Sequence, residues 1–385
     1  MPILIRNGRV VDVFQGINKV QDMTIEGGDG DFNATGMIVV PGLFDMHCHL
    51  RDFGQAHKGT IESECLAALH GGFTGVLAMP NTVPTIDSAE MVQVVKEKAV
   101  GVAVDVYVAG AVSRGLAGEE LTGLGEMERA GVAAFTDDGM PVSDKRFLEK
   151  ALLATDKLVI YHSEEFGIDE ADAEWVDAEK AIEVAERLGK RIHITHISSK
   201  KTVEIIREAK ARGVAVTCDT CPHFFSLTDE AIAEKGTDAK MNPPLKKAED
   251  VAAIIEGLKD GTIDAISTDH APHSVSEKAV DYEVAPNGII GFETAVGLAV
   301  TTLVKAGYLS WMELVEKMSV KPRELLGIGA SGWTIIDAEN EYEVDIDSFR
   351  SMARNSPFNG AKLYGKVVAV CVQDNEKGTA ELHIL

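Results

Sequence analysis

The chain has 385 residues, 45% hydrophobic and 25% charged, enough for a sizeable core and unlike a disordered segment. Its net charge of −24, from 61 acidic against 37 basic residues, repels phosphate backbones and excludes nucleic acid as a natural partner. Five scattered cysteines, a start without a leader pattern, and a most apolar stretch (Gly288 to Val304) that is short and interrupted by Glu293 predict a reduced, soluble, cytoplasmic protein with no membrane partner.

Residues 3–14 (ILIRNGRVVDVF) read as a strand with no helix after it. From MIVVPGLFDM onward the pattern changes. TGVLAMP, VDVYVAG, GVAAFT, LVIYH, RIHITH, VAVTCDT and DAISTD follow as continuous apolar runs, as parallel strands covered on both faces require. Helical patterns such as IESECLAALHGG, SAEMVQVVKEKA, DAEKAIEVAERLG and KTVEIIREAKARG lie between them, the last two stopped by glycine after charged residues. Eight strands, each followed by helical sequence, predict an α/β fold, a (β/α)8 barrel over residues 41–330. An open doubly wound sheet would want a glycine-rich turn after its first strand, and none is present. Beyond the barrel, 333–337, 366–373 and 380–385 are strand-like without intervening helices. Neither end can bury a sheet alone, so residues 1–40 and 331–385 are expected to form one small composite β-domain.

The polar residues at the strand ends carry the chemistry. The first barrel strand ends in Phe44-Asp45-Met46-His47-Cys48-His49. Side chains two apart on a strand share a face, with Cα atoms roughly 6–7 Å apart, so His47 and His49 can converge on one ion. At the C-terminal end of a barrel strand that face opens into the mouth where active sites lie. His162 closes the fifth strand, His196 the sixth, Asp269 the eighth, and Asp137-Asp138 follow the fourth. Each alone reads as an ordinary polar residue at a loop; together they are ligand types that Zn2+ accepts, at the same end of successive strands. The pattern does not choose between Asp137 and Asp138. Cys218-x-x-Cys221 has no second thiol pair and reads as packing, and His193 and His70 read as structural.

His47-Cys48-His49-Leu50-Arg51-Asp52, HKGTIES, GGFTG and MPNTVPTID, followed by AFTDDGMPVSD, ITHISSK, MNPPLK, STDHAPH and APNGIIGFETA, resemble class I dihydroorotases of the amidohydrolase superfamily over nearly the whole chain. The resemblance implies that His47, His49, Asp138, His162, His196 and Asp269 hold one or two Zn2+ ions, and that Asp138 is the ligand of the acidic pair. Hydantoinases, dihydropyrimidinases and allantoinases place a carboxylated lysine after the fourth strand; Phe135-Thr136-Asp137-Asp138-Gly139 offers none. The implied reaction interconverts N-carbamoyl-L-aspartate and dihydroorotate in pyrimidine synthesis. Asp269 would be the catalytic proton acceptor and donor. Such a small anionic substrate needs local cations and amides on so acidic a protein. Arg51 offers a planar fork for a carboxylate. By resemblance His49, Arg51, Asn81, Asn242 and His273 contact the substrate, with backbone contacts from Asn287 and Gly288. The resemblance also allows a homodimer, and an association with aspartate transcarbamoylase. Some relatives of this kind are inactive scaffolds, but silent copies tend to lose ligands, and all six stand here. Three positions depart from the family pattern: Phe53 stands where proline is usual, Asn287 where an aromatic residue is common, and the segment between Gln21 and Gly36 is short, which predicts a reduced β-domain.

Overall fold

The computed structural model describes residues 2–385 except Pro141, Ser143, Asn375 and Glu376. Pro141 and Ser143 belong to the AFTDDGMPVSD segment quoted above, and nothing is assigned to them. Four strands come first: β1 (Ile3–Asp12), β2 (Ile17–Ile25), β3 (Gly30–Asn33) and β4 (Ile38–Pro41). The barrel follows with β5 (Leu43–Cys48), β6 (Phe73–Ala78), β7 (Asp105–Gly110), β8 (Ala134–Phe135), β9 (Leu158–Tyr161), β10 (Ile192–Ile194), β11 (Val216–Thr220) and β12 (Ala265–Ile266). These eight lie side by side in chain order, each neighbouring pair parallel. Every residue of β5 and β6 is buried, the burial on both faces that the continuous apolar runs require. The last strand meets the first through a parallel bridge between Cys48 and His270. His49 N–H donates to His270 O at 2.8 Å, and the Asp45 carboxylate accepts the Thr268 N–H and hydroxyl.

The intervening helices start where their caps put them. Thr60, Ser88, Asp169 and Ser199 each accept a backbone N–H of the first turn, satisfying a donor that the helix itself cannot. Glu170–Leu188 ends at Gly189 in the left-handed conformation, the stop read from the sequence. Inside the barrel Phe44, Met46, Leu77, Met79 and Ile160 form a packed layer. Beneath them the buried Arg323 closes the floor, donating to Gly42 O, Gly329 O and Thr74 Oγ1 with its guanidinium over the Phe44 ring.

The two ends do build one sheet. β13 (Trp333–Asp337), β16 (Lys366–Asp374) and β17 (Thr379–Ile384) join the opening strands in the order β17-β16-β13-β4-β1-β2, with β3 also pairing β1, while β14 (Tyr342–Glu343) and β15 (Lys362–Leu363) form a separate pair. Its core holds Ile3, Ile5, Val10, Val39, Ile335 and Ala369 from both ends of the chain.

Two expectations needed correction. The run MIVVPGLFDM is two strands: Ile38–Pro41 belongs to the terminal sheet, and the barrel begins only at Leu43. The break falls at Gly42, where an added Cβ would lie 2.2 Å from Thr74 Oγ1 and 2.4 Å from Ser331 O. Second, the strands are shorter than their apolar runs. β9, β10 and β12 stop at Tyr161, Ile194 and Ile266, so His162, His196 and Asp269 lie just beyond the ladder.

Candidate metal centre and substrate cavity

The barrel brings all six expected ligands to its C-terminal end. His47 and His49 project from the end of β5, with ring centroids 5.5 Å apart. Asp138 is the hub. Its Oδ1 lies 3.1 Å from His47 Nε2, 3.6 Å from His196 Nε2 and 3.8 Å from His162 Nδ1, and its Oδ2 lies 3.5 Å from His49 Nε2. Asp269 Oδ1 lies 3.1 Å from His49 Nε2 and 3.5 Å from His47 Nε2. Two triads have their ligand atoms mutually within 4.8 Å: His47, His49 and Asp269, and His47, Asp138 and His196. His162 adjoins the second, its Nδ1 2.9 Å from His196 Nε2. Asp137, its neighbour in sequence, points elsewhere. It accepts the N–H groups of Val112 and Ser113 and the Ser113 hydroxyl, tying the loop after β8 to the loop after β7.

Electrostatics at this cluster are severe. Burial alone would push the His47 pKa down, but the charges of Asp138, Asp269 and Asp219 override it and lift it to about 10. Burial would likewise raise the two aspartates. Nearby histidines, His47 foremost for Asp138 and His49 for Asp269, instead hold Asp138 well below the carboxylate range and Asp269 at about 2. Such concentrated complementary charge suits a buried cation. His47 Nε2 faces the cluster buried and without a hydrogen-bond partner, so the donor set fits a divalent metal that would satisfy it.

Above the cluster opens a cavity of about 190 Å³, lined by His49, Asp138, His162, His196 and Asp269 on the metal side, and by Arg51, Asn81, Asn242, Asn287 and Gly288 with Gly139 and Ala271. Asn81 connects the two halves: its Oδ1 is 2.8 Å from His49 Nδ1, and its amide donates to Asp138 Oδ2 at 3.2 Å. Arg51 is anchored by its Nε on Pro272 O, and burial lowers its pKa to about 10, leaving it cationic at neutral pH. His273 stands behind this wall. Its Nε2 is 2.8 Å from Asn287 O and 3.3 Å from Arg51 Nη2, and it lines an adjoining cavity with Lys278 and Asn355. Burial, with Arg51 and Lys58 beside it, depresses its pKa to about 3, so it stays neutral.

Some residues of the site escaped sequence reasoning. Glu164 Oε2 is 3.2 Å from His162 Nε2 and accepts the Asn242 amide at 3.0 Å, joining a metal-side residue to a cavity-wall residue. Its position two residues after His162 was the available signal. Asp219 and Thr195 lie directly behind the histidines; a lone charged residue inside the otherwise uncharged run VAVTCDT was the signal there. His193, read as structural, pairs with Asp219 at 2.9 Å. Cys218 and Cys221 are buried, with thiols that burial pushes above their usual range, consistent with packing. His70 is half-buried at the end of its helix.

Comparison with known proteins supplies the family. A family model described as "Dihydro-orotase-like" matches residues 36–208. The chain is 44% identical to a dihydroorotase of Ruminiclostridium cellulolyticum, over 95% of this chain and 96% of that protein. It is 43% identical to a dihydroorotase of Acetivibrio thermocellus, over 97% and 98%. Among solved structures it superposes on the L-hydantoinase (dihydropyrimidinase) of Arthrobacter aurescens with a TM-score of 0.87 at 26% identity, covering 96% of this chain and 94% of that one. With full-length relatives of this similarity and a buried His/Asp cluster at the barrel mouth, the chain belongs to the dihydroorotase family of metal-dependent cyclic amidohydrolases.

Proposed function

We propose that the cavity hydrolyses the ring amide of dihydroorotate, and closes carbamoyl-aspartate in reverse, with Zn2+ held by His47, His49, Asp138, His162, His196 and Asp269. The observation that carries this reading is the side-by-side placement of an anionic His/Asp cluster and a cationic, amide-lined wall in one cavity. A divalent ion there would supply Lewis acidity, bringing the pKa of a water from 15.7 to about 7 and polarising the ring carbonyl. The overlapping triads share His47, and Asp138 of the second also reaches His49 of the first, so the ligand set can serve one ion or two.

The chain's own residues do the rest. Arg51 presents a fork to the substrate carboxylate, the recognition that its geometry suits and that the protein's net charge would otherwise oppose. Asn81 and Asn242 place amide groups on the cavity wall, and Asn287 and Gly288 line its far side. Gly288 has φ 125°, and an added Cβ would lie 2.7 Å from the Ala271 Cβ, so a side chain there would alter the wall. His273 holds the Asn287 carbonyl and backs Arg51. Asp269, at the boundary between cluster and cavity, would take the proton of the attacking water and return it to the ring nitrogen as the C–N bond breaks. In the closing direction the same carboxylate accepts the proton of the carbamoyl nitrogen. The hydantoinase likeness is one of fold: position 138, at the centre of the cluster, is an aspartate.

A spectrophotometric assay of dihydroorotate hydrolysis tests the reading, with hydantoin and dihydrouracil as competitors. Activity is expected to disappear on chelation and return with zinc, and dihydroorotate to be preferred. Chelator-resistant turnover, or preference for hydantoin, would overturn it.

A further inference from the structure

A chain of hydrogen bonds runs through the barrel behind the metal-facing side chains. His47 Nδ1 lies 2.7 Å from Thr195 Oγ1. Thr195 Oγ1 donates to Asp219, 3.3 Å from Oδ1 and 3.2 Å from Oδ2. Asp219 Oδ2 is 2.9 Å from His193 Nε2, whose Nδ1 is 2.8 Å from Thr217 Oγ1. Asp219 Oδ1 also accepts the His196 N–H at 2.6 Å. His47, His193 and Asp219 are wholly buried, and Thr195 and His196 are 2% exposed, so no solvent competes for the bonds among them.

Between Asp219 and His47 the donors and acceptors admit one ordering. With the His196 N–H, His193 and Thr195 all facing it, the Asp219 carboxylate acts as acceptor throughout. Thr195 therefore spends its only proton on Asp219, and its oxygen can only accept from His47. His47 must then carry its proton on Nδ1. That leaves Nε2, on the side facing Asp138 and Asp269 where it has no hydrogen-bond partner, as the nitrogen on which a metal can take the place of a proton. His193 donates to Asp219 through Nε2, and its Nδ1 pairs with the Thr217 hydroxyl.

We propose that Asp219, acting through Thr195, is a positioning residue that holds His47 in the tautomer and orientation whose Nε2 can ligate the metal. The same carboxylate fixes the His196 backbone, so one buried group sets two of the metal-side histidines. A carboxylate commonly orients a metal-ligating histidine through the nitrogen remote from the metal, and its loss typically costs 10–100-fold in metal affinity. Here the contact is relayed by a hydroxyl. The inference rests on the metal reading above.

The test is the zinc affinity of the full chain by competition with a chromophoric chelator. Thr195→Val, which keeps the shape and removes the relay, is expected to bind zinc about 10–100-fold more weakly. Thr195→Ser, which restores the hydroxyl, is expected to stay within about threefold of wild type. In the unmodified, zinc-loaded chain with 15N-labelled histidine, His47 is expected to show an exchange-protected proton on Nδ1. Zinc binding by Thr195→Val within twofold of wild type, or a His47 proton on Nε2, would overturn this inference alone. A wild-type chain that takes up no divalent ion would overturn the metal reading and this inference with it.

Discussion

Backbone strain collects at the residues of the site. His196 and Asp269 adopt φ of 40° and 47°, and Arg51, Asp52 and Phe53 adopt 61°, 64° and 49° in succession. Left-handed backbone costs a residue with a Cβ about 1–2 kcal/mol, so surrounding contacts must hold each one there. For His196 the Asp219 carboxylate does so through the backbone N–H. For the Arg51 loop it is Asp52, whose carboxylate accepts the N–H groups of Phe53 and Ile61 and pairs with Lys98. Proline fixes φ near −65°, so the usual proline could not occupy position 53 in this conformation; the departure at Phe53 and the loop geometry belong together. Asp269 is held between Thr268, bonded to Asp45, and His270, bonded to His49 N–H. Asp269→Asn keeps that shape and a ligating oxygen but loses the proton acceptor. Turnover is expected to fall by about 10²–10⁴ while metal content by elemental analysis stays near wild type. Near-normal turnover would remove Asp269 from the proton-transfer role.

At the scale of elements, the barrel and the terminal sheet are stitched at Gly42. β4 ends and β5 begins on either side of it, Arg323 and Ser319 donate to its carbonyl, and Thr74 and Ser331 leave no room for a side chain. Gly42→Ala is expected to destabilise the chain by about 1–3 kcal/mol, because a methyl would displace backbone and a buried hydroxyl rather than a flexible side-chain tip. The denaturant midpoint measures this. An unchanged midpoint would show that the two layers can separate there without penalty.

For the whole molecule, the net charge of −24 opposes every anion that approaches, while Arg51 and the cavity amides attract it only at close range. Screening shortens the reach of the repulsion from about 30 Å at 0.01 M salt to about 8 Å at 0.15 M. The kcat/KM for carbamoyl-aspartate is therefore expected to rise as ionic strength increases across that range, with a neutral cyclic amide as the control. A fall would show that the cations at the mouth dominate the field the substrate meets. No helix among the described residues is long and apolar enough to cross a membrane.

The sequence by itself determined the barrel and the polar residues at its mouth, because both are periodic or positional. Continuous apolar runs report strands buried on two faces, and a polar residue at the end of such a run must lie at the barrel rim. It also disclosed the composite sheet, since neither end could bury its own strands. The residue pattern left Asp137-Asp138 open and the family resemblance pointed to Asp138; the tertiary structure shows why it is Asp138 that joins the histidines. Adjacent side chains leave the backbone in different directions, and the Ser113 backbone claims the first. It alone split MIVVPGLFDM at Gly42, where crowding comes from Thr74 and Ser331, residues distant in sequence. And it alone placed Asp219 behind His47, through contacts that span three strands and have no signature along the chain.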